Sequence, residues 1–220
     1  MPQSRQLIIV AAGAFGREVL WVAREAREEW NVLGFLDDNP QRRGEIVCDV
    51  PVLGTIDEWS QFPEAHFVIA VGPPRTKKAI HDRMLASGTP RWATLIHRSV
   101  QMSQYVTVGE GSVICAGCVL TTQIEIRRHV IINLSCTCGH DTVFGDFVTL
   151  APMIAASSRV TMEEGAEIGM FSTLLPGLTL GRGSMVGMGS VVVKDVPANE
   201  LWLGSPAKMR RQLEPSWVLP

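Results

Sequence analysis

A six-residue alternation of apolar and polar positions runs through the chain from residue 100 to residue 193. Starting at Met102 and stepping by six to Val192, sixteen consecutive positions are all apolar, although only 46% of the chain is apolar. Sixteen such hits in one phase have a chance probability of roughly four in a million. A repeat of this length predicts a solenoid.

The other positions of the hexad indicate which kind of solenoid this is. The residue two places before each apolar position is mostly small or β-branched and is never charged. Of the eleven charged residues in this stretch, nine lie one to three places after the apolar position. Short strands with alternate residues pointing inward, separated by solvated corners, produce this pattern. An α-helix and a heptad coiled coil have different periods and are excluded.

The residues before the repeat follow another pattern, in which short apolar runs alternate with helix-like segments. The apolar runs are 7–10, 32–36 and 67–71, and the helix-like segments are 17–29 and 75–87. Alternation of this kind predicts a small, Rossmann-like parallel sheet in an α/β domain. Ligands of such sheets bind at the carboxyl ends of the strands, where three loops are expected to lie together.

The loops at that edge contain the candidate substrate-binding residues. The first loop carries Gly13 and Gly16 before a helix, a pattern that lets backbone amides approach a phosphate, although Ala11 stands where the usual motif has its first glycine. Asp37 follows the second strand, near where an acidic residue often meets a ribose or base. Gly72 follows the third strand.

Basic residues begin the second predicted helix at Arg75, Lys77 and Lys78. We expect a solvated helix start, and contact with a phosphate is the alternative interpretation.

Composition limits the remaining possibilities. The chain has 220 residues and a formal charge of −2, which gives no basic surface for nucleic acid. No apolar run approaches a membrane span and no secretory leader is evident, so we expect a cytoplasmic protein without membrane insertion. We divide it into a domain at 1–95, a solenoid at 96–196 and a capping segment at 197–220.

The five cysteines raise the question of a metal site or a disulfide. Cys115 and Cys118 are spaced like half of a zinc site, and Cys136 and Cys138 lie close together in the sequence. In the hexad frame, Cys118, Cys136 and Cys138 point inward, and Cys115 lies at a corner. We therefore expect packing rather than a metal ion, and an odd number of thiols fits a reducing compartment.

The repeat resembles that of the hexapeptide-repeat acyltransferases, and the whole chain is similar to bacterial sugar acetyltransferases that join a nucleotide-binding domain to such a repeat. The similar segments are AGAFGREV at 12–19, FLDDN at 35–39, AVGPPRTKKAI at 70–80, NLSCTCGHDTVFGDF at 133–147 and GSPAK at 204–208. This resemblance implies a left-handed parallel β-helix with three hexads per coil, hence about five coils. It also implies a homotrimer that binds acetyl-CoA between neighbouring β-helices and uses no metal.

The resemblance places the chemistry at His140 and Asp141. Histidine suits a general base because its ordinary pKa of about 6.5 lies near working pH, and the adjacent carboxylate would orient it. Asn133 is expected to line the same site. Ser158 lies eighteen residues after His140, one coil higher, so its N–H is a candidate donor to the thioester oxygen. Lys208 is expected to meet the phosphates of CoA.

The leading hypothesis is an acetyl-CoA-dependent N-acetyltransferase that acts on the amino group of a nucleotide-linked 4-amino sugar. O-acetylation of a sugar such as sialic acid is the alternative, since one base serves both reactions. A non-catalytic binding protein is a third interpretation. A metal-dependent hydratase would need three converging histidines, whereas the repeat offers only His129, expected to face solvent, and His140. His97 is expected to be a linker residue between the domains.

Overall fold

The computed structural model of the protein describes residues 5–214 and begins with a six-stranded sheet flanked by two helices. Its elements are β1 (Arg5–Val10), α1 (Ala14–Arg24), β2 (Trp30–Leu36), β3 (Ile46–Val47), β4 (Val50–Gly54), β5 (His66–Ile69), α2 (Pro74–Ala86) and β6 (Arg91–Trp92), with 3-10 helices at Pro40–Arg42 and Ile56–Gln61. The sheet order is β3-β4-β2-β1-β5-β6, and only the β3–β4 pair is antiparallel. The predicted small parallel sheet is confirmed.

Helix α1 ends earlier than the sequence pattern predicted. The pattern ran to Glu29, but the helix ends at Arg24. Beyond this point the backbone pairs with the start of the solenoid: the Arg27 N–H donates to the Ile96 carbonyl at 2.9 Å, and Ala26 forms an antiparallel bridge with His97. Tertiary hydrogen bonds thus replace the last predicted helical turn.

The solenoid consists of seventeen short strands. They are β7 (Leu95–Ile96), β8 (Gln101–Met102), β9 (Val106–Val108), β10 (Val113–Ile114), β11 (Val119–Leu120), β12 (Ile124–Ile126), β13 (Ile131–Ile132), β14 (Thr137–Cys138), β15 (Val143–Phe144), β16 (Thr149–Leu150), β17 (Ala155–Ala156), β18 (Thr161–Met162), β19 (Glu167–Ile168), β20 (Thr173–Leu174), β21 (Thr179–Leu180), β22 (Met185–Val186) and β23 (Val191–Val192).

Each strand from β7 to β20 pairs in parallel with the strand eighteen residues further on, so the chain winds as a parallel β-helix with three faces, which is consistent with the expected left-handed form. Face one contains β7, β10, β13, β16, β19 and β22, face two contains β8, β11, β14, β17, β20 and β23, and face three contains β9, β12, β15, β18 and β21. From Ile114 to Val192 every sixth residue is buried in one continuous core. The hexad therefore encodes the inward positions, as predicted.

A hairpin caps the C-terminal end of the β-helix. Its strands are β24 (Glu200–Leu203), which extends face one beside β22, and β25 (Lys208–Gln212), which pairs with β24 in antiparallel fashion. Residues 215–220 of the predicted capping segment lie outside the described residues.

The α/β unit docks on face one. Helix α1 packs its apolar side, including Val19, against Leu95, Val113 and Ile131 of the β-helix in one buried cluster. Burial of apolar side chains at about 25 cal/mol per Å² favours this contact. Neither helix found within residues 5–214 has the length and apolar character needed to cross a membrane.

Candidate active site

His140 and Asp141 form a hydrogen-bonded pair at the corner between faces two and three, directly after β14. The His140 Nδ1 lies 2.7 Å from the Asp141 Oδ2, and both side chains are about half exposed. Asp141 has φ +60°, a conformation that aspartate tolerates better than most residues. Because the carboxylate accepts the proton of Nδ1, the neutral imidazole carries its lone pair on Nε2. Among residues 5–214 no hydrogen bond occupies that Nε2, so it is available as a base.

Ser158 lies one coil above, beside the strand that precedes His140. Strand β14, which precedes His140, pairs in register with β17, which precedes Ser158. The Arg159 N–H donates to the His140 carbonyl at 2.8 Å. A Cβ added to Gly139 would lie 2.7 Å from the Ser158 nitrogen, so glycine is needed for the corners to stack. Within the described part of the chain the Ser158 N–H has no acceptor. This free amide, one coil above the candidate base, is a candidate donor to the thioester oxygen.

Asn133 lies at the next corner, between faces one and two, after β13. Its Oδ1 accepts a hydrogen bond from the Leu134 N–H at 2.7 Å, and the side chain is partly buried. Strand β14 separates it from His140, a distance of roughly 15 Å for one face. A single chain therefore does not bring these two predicted residues together.

The first loop of the α/β unit has a strained backbone at Ala11. Ala11 has φ +79°, the conformation usually taken by glycine at this place. A Cβ on Gly16 would lie 2.3 Å from the Ala11 carbonyl oxygen, whereas one on Gly13 would meet nothing within 4 Å. Gly13 caps α1 without a side-chain hydrogen bond, and the first turn contains no acidic residue. The amides at this helix start can therefore receive an anion.

Asp37 holds this loop in place. Its Oδ2 accepts the Ala12 N–H at 2.9 Å, and its Oδ1 accepts the Asn39 N–H at 3.0 Å. Arg42, which the sequence analysis did not single out, bonds through Nη1 to both the Ala12 carbonyl and the Asp37 Oδ2 at 3.1 Å. Arg42 lies in a short 3-10 helix after an Asn-Pro turn, where no sequence motif indicates a role for it.

Gly72 and Lys77 link the α/β unit to face one. The Gly72 carbonyl accepts a hydrogen bond from the Thr149 hydroxyl at 2.8 Å. Both predictions for Lys77, a solvated helix start and a phosphate contact, are wrong, because it is 1% exposed and its Nζ donates to the Thr149 hydroxyl at 2.9 Å. Burial lowers the pKa of Lys77 well below its usual value.

Lys208, the predicted phosphate contact, is exposed at the start of β25 opposite Leu203. Within residues 5–214 no ion pair or hydrogen bond engages its ammonium group. The charge is accordingly available to a ligand near the cap of the β-helix.

His129 was predicted to face solvent, and this prediction is wrong. The side chain is fully buried beneath α2, stacked on Phe147 and edge-on to His81 and Trp92. Burial, helped by His81, Lys77 and Arg128, lowers the pKa of His129 to about 2. His129 is therefore a neutral core residue.

His97 and the cysteines have packing roles. His97 is buried against Trp21 and bonds through Nδ1 to the Ser99 hydroxyl at 2.8 Å, at the connection between the two units. Cys118, Cys136 and Cys138 point inward as predicted, and Cys115 is also buried, at a corner that α1 covers. Burial raises the pKa of the Cys138 thiol. Within residues 5–214 no three His, Cys, Asp or Glu residues are grouped to hold a metal ion.

Comparison with known proteins agrees with this arrangement. A profile described as the PglD N-terminal domain matches residues 6–84. GDP-perosamine N-acetyltransferase of Escherichia coli O157:H7 is 28% identical over 210 residues, 91% of this chain and 94% of that enzyme. A variant of perosamine N-acetyltransferase from Caulobacter crescentus, solved with CoA and GDP-perosamine, matches with a TM-score of 0.86 and 28% identity over 94% of this chain and 97% of that one.

The acetyltransferase domain of PglB from Neisseria gonorrhoeae FA1090, solved with acetyl coenzyme A, has a TM-score of 0.85 and 28% identity over 94% of this chain and 100% of that domain. These similarities support a bacterial sugar acetyltransferase of the hexapeptide-repeat family. Other relatives match a smaller part of this chain. Gamma carbonic anhydrase 2 of Arabidopsis thaliana, for example, is 33% identical over 123 residues, 49% of this chain and 44% of that protein.

Proposed function

We propose that the protein transfers the acetyl group of acetyl-CoA to the amino group of a nucleotide-linked 4-amino sugar. The observation that carries the proposal is the His140–Asp141 pair, whose 2.7 Å contact leaves Nε2 free. The similarity over nearly the whole chain to enzymes named for N-acetylation of perosamine supports the same acceptor class.

In the proposed reaction, His140 acts as general base. The acceptor amine attacks the thioester carbonyl while Nε2 takes the amine proton, and Asp141 stabilises the resulting imidazolium. The Ser158 N–H donates to the oxyanion that develops on the carbonyl. Collapse of the tetrahedral species breaks the carbon–sulfur bond, and the imidazolium returns the proton to the departing CoA thiolate.

The acceptor nucleotide is proposed to bind at the carboxyl edge of the α/β sheet. Gly13 and Gly16 shape the helix start that would receive the phosphates, and Asp37 and Gly72 border it. Asp37 already bonds to the Ala12 amide, so its contribution includes holding this loop in shape as well as facing the ligand.

We further propose a homotrimer whose active sites lie between neighbouring copies. Asn133 occupies a different corner from His140, so a cyclic contact would bring the Asn133 corner of one copy to the His140 corner of the next. Exposed Met153, Phe171 and Met188 lie at the Asn133 corner, and apolar groups of this size favour a partner. In this arrangement CoA lies in the groove between copies, with Lys208 near its phosphates.

Transfer to a hydroxyl remains the second candidate, because the same base would take a proton from a sugar alcohol. The loop at Gly13 favours a nucleotide-bearing acceptor over a free sugar such as sialic acid. The product would serve cell-surface glycan synthesis, and dependence on acetyl-CoA fits a cytoplasmic enzyme.

A substrate panel tests the proposal. UDP-, GDP- and dTDP-linked 4-amino sugars, the matching 4-hydroxy sugars and free sialic acid are each incubated with acetyl-CoA, and the CoA thiol that is released is measured. We expect release with at least one amino sugar and a product 42 mass units heavier, the mass of an acetyl group replacing a proton. Reaction of only the hydroxyl acceptors would overturn N-acetylation, and no release with any acceptor would overturn acetyl transfer to sugars.

A further inference from the structure

Lys77 is a buried lysine that the proposed reaction does not use. It lies in the first turns of α2, is 1% exposed, and directs its Nζ to the Thr149 hydroxyl at 2.9 Å and the Val148 carbonyl at 3.5 Å. Burying an amine costs several kcal/mol unless hydrogen bonds compensate. A side chain placed at this cost between two structural units indicates a specific contact rather than general packing.

The Thr149 hydroxyl links Lys77 to the Gly72 turn. It accepts the hydrogen bond from Lys77 and donates its own proton to the Gly72 carbonyl at 2.8 Å. Thr149 lies in β16 and is itself buried, with Ile131 below it and Glu167 above it in register. The chain of bonds therefore runs from α2, through one hydroxyl of the β-helix, to the turn after β5.

The Gly72 turn adjoins the candidate nucleotide loop. The Ala70 N–H donates to the Val10 carbonyl at 2.8 Å, so the ends of β5 and β1 lie side by side just before Gly72 and Ala11. A Cβ at Gly72 would meet nothing within 4 Å, and the cap residue of α2, Pro73, has no side-chain hydrogen bond. The Thr149 bond is the hydrogen bond that ties the Gly72 carbonyl to the β-helix.

We propose that Lys77 and Thr149 are positioning residues that fix the Gly72 turn against the β-helix and thereby set the affinity for the nucleotide-sugar acceptor. This inference rests on the proposed function for the identity of the acceptor. Neither residue touches the reacting atoms. The two units are joined elsewhere by apolar contacts such as those of α1, so this polar link is not needed to keep them docked.

Steady-state kinetics of hydroxyl-deletion variants test the proposal. Thr149→Val removes the hydroxyl and keeps the shape of the side chain, Thr149→Ser restores the hydroxyl, and Lys77→Met removes the donor. Thr149→Val and Lys77→Met should raise the acceptor KM about tenfold, the effect of losing one buried hydrogen bond. The KM for acetyl-CoA and kcat should stay within about twofold of the wild type by the same reasoning.

Matched controls are Thr161→Val, at the equivalent hexad position on face three, and Lys194→Met, at an exposed lysine. Both should leave the acceptor KM unchanged. The kcat values are divided by the folded fraction measured by circular dichroism. The proposal is overturned if Thr149→Val keeps the wild-type acceptor KM, or if Thr149→Ser is as impaired as Thr149→Val.

Hydrogen–deuterium exchange gives a readout that does not depend on activity. Backbone amides of residues 70–76 should exchange faster in Thr149→Val and Lys77→Met than in the wild type and the two controls. If the wild type acetylates no nucleotide sugar, the proposed function fails and the link is judged by exchange alone. Unchanged exchange at residues 70–76 in both variants would then overturn it.

Discussion

At the scale of residues, the burial of His129 depends on contacts from outside the repeat. The hexad places it at a corner, where φ is +55°, yet its side chain is enclosed by rings from α2, β6 and the next coil. Both ring nitrogens lack hydrogen-bond partners within the described part of the chain. A protonated imidazole would be strongly unfavourable in this enclosure, so the native state holds His129 in its neutral form.

This enclosure predicts acid lability with a definite sign. The pKa of His129 in the folded protein, about 2, lies below the ordinary value of 6.5. Below pH 6.5, His129 therefore binds a proton in the unfolded chain but not in the native state. Stability should fall by about 2 kcal/mol between pH 7 and pH 5 from this group alone. Urea unfolding at both pH values measures the loss. His129→Phe should show a loss smaller by that amount, and an equal loss in both proteins would contradict the account.

The sequence could predict exposure only where the repeat alone determines it. The phase of the hexad correctly placed His140 in an exposed corner and Cys138 in the core. It misplaced His129 because burial there comes from α2, which docks from outside the solenoid. Lys77 was misplaced for the same reason. Arg42 was missed because its role depends on how a loop folds back.

At the scale of elements, strong periodicity made the β-helix predictable. The ends of helices and the short strands outside the repeat were not predictable. The strands of the solenoid follow the hexad throughout. Strands β3 and β4 were not predicted, because strands of two to five residues carry little periodicity of their own. The end of α1 was set by pairing with Ile96, a contact that spans the two units.

The first loop supplies a prediction at this scale, with a control at a neighbouring glycine of the same loop. Gly16→Ala places a Cβ 2.3 Å from the Ala11 carbonyl, a backbone atom that can yield only if α1 shifts. Gly13→Ala meets nothing within 4 Å. Urea denaturation should show Gly16→Ala destabilised by about 1–3 kcal/mol and Gly13→Ala within about 0.5 kcal/mol of the wild type. Equal stabilities of the two variants would show that the loop is not held as described.

At the scale of the whole molecule, the α/β unit packs on one face of the β-helix and leaves an apolar corner of the β-helix exposed. The α/β unit covers face one, whereas the corner between faces one and two carries an apolar ridge of Met153, Met170, Phe171 and Met188, exposed by 36 to 73%. Composition and the repeat could not locate this ridge, because they do not show which outward positions another unit covers.

The proposed trimer gives the ridge a function that can be measured. Light scattering should give a mass of about 72 kDa, three times the chain mass of 24.1 kDa. Phe171→Asp should lower that mass and abolish acetyl transfer, because a charge would be buried at the contact. Tyr105→Asp, at an exposed aromatic residue near the other end of the solenoid, should do neither. A wild-type mass near 24 kDa, the mass of one chain, would contradict the trimer.

His140 is proposed as the base that activates the acceptor, and the rate of acetyl transfer by His140→Ala on the amino sugar that the wild type uses tests this role. The kcat should fall by about 10² to 10⁴, the usual contribution of a positioned general base. The circular dichroism spectrum and the affinity for acetyl-CoA should remain unchanged. A kcat within about twofold of the wild type would contradict the assignment of His140 as the base.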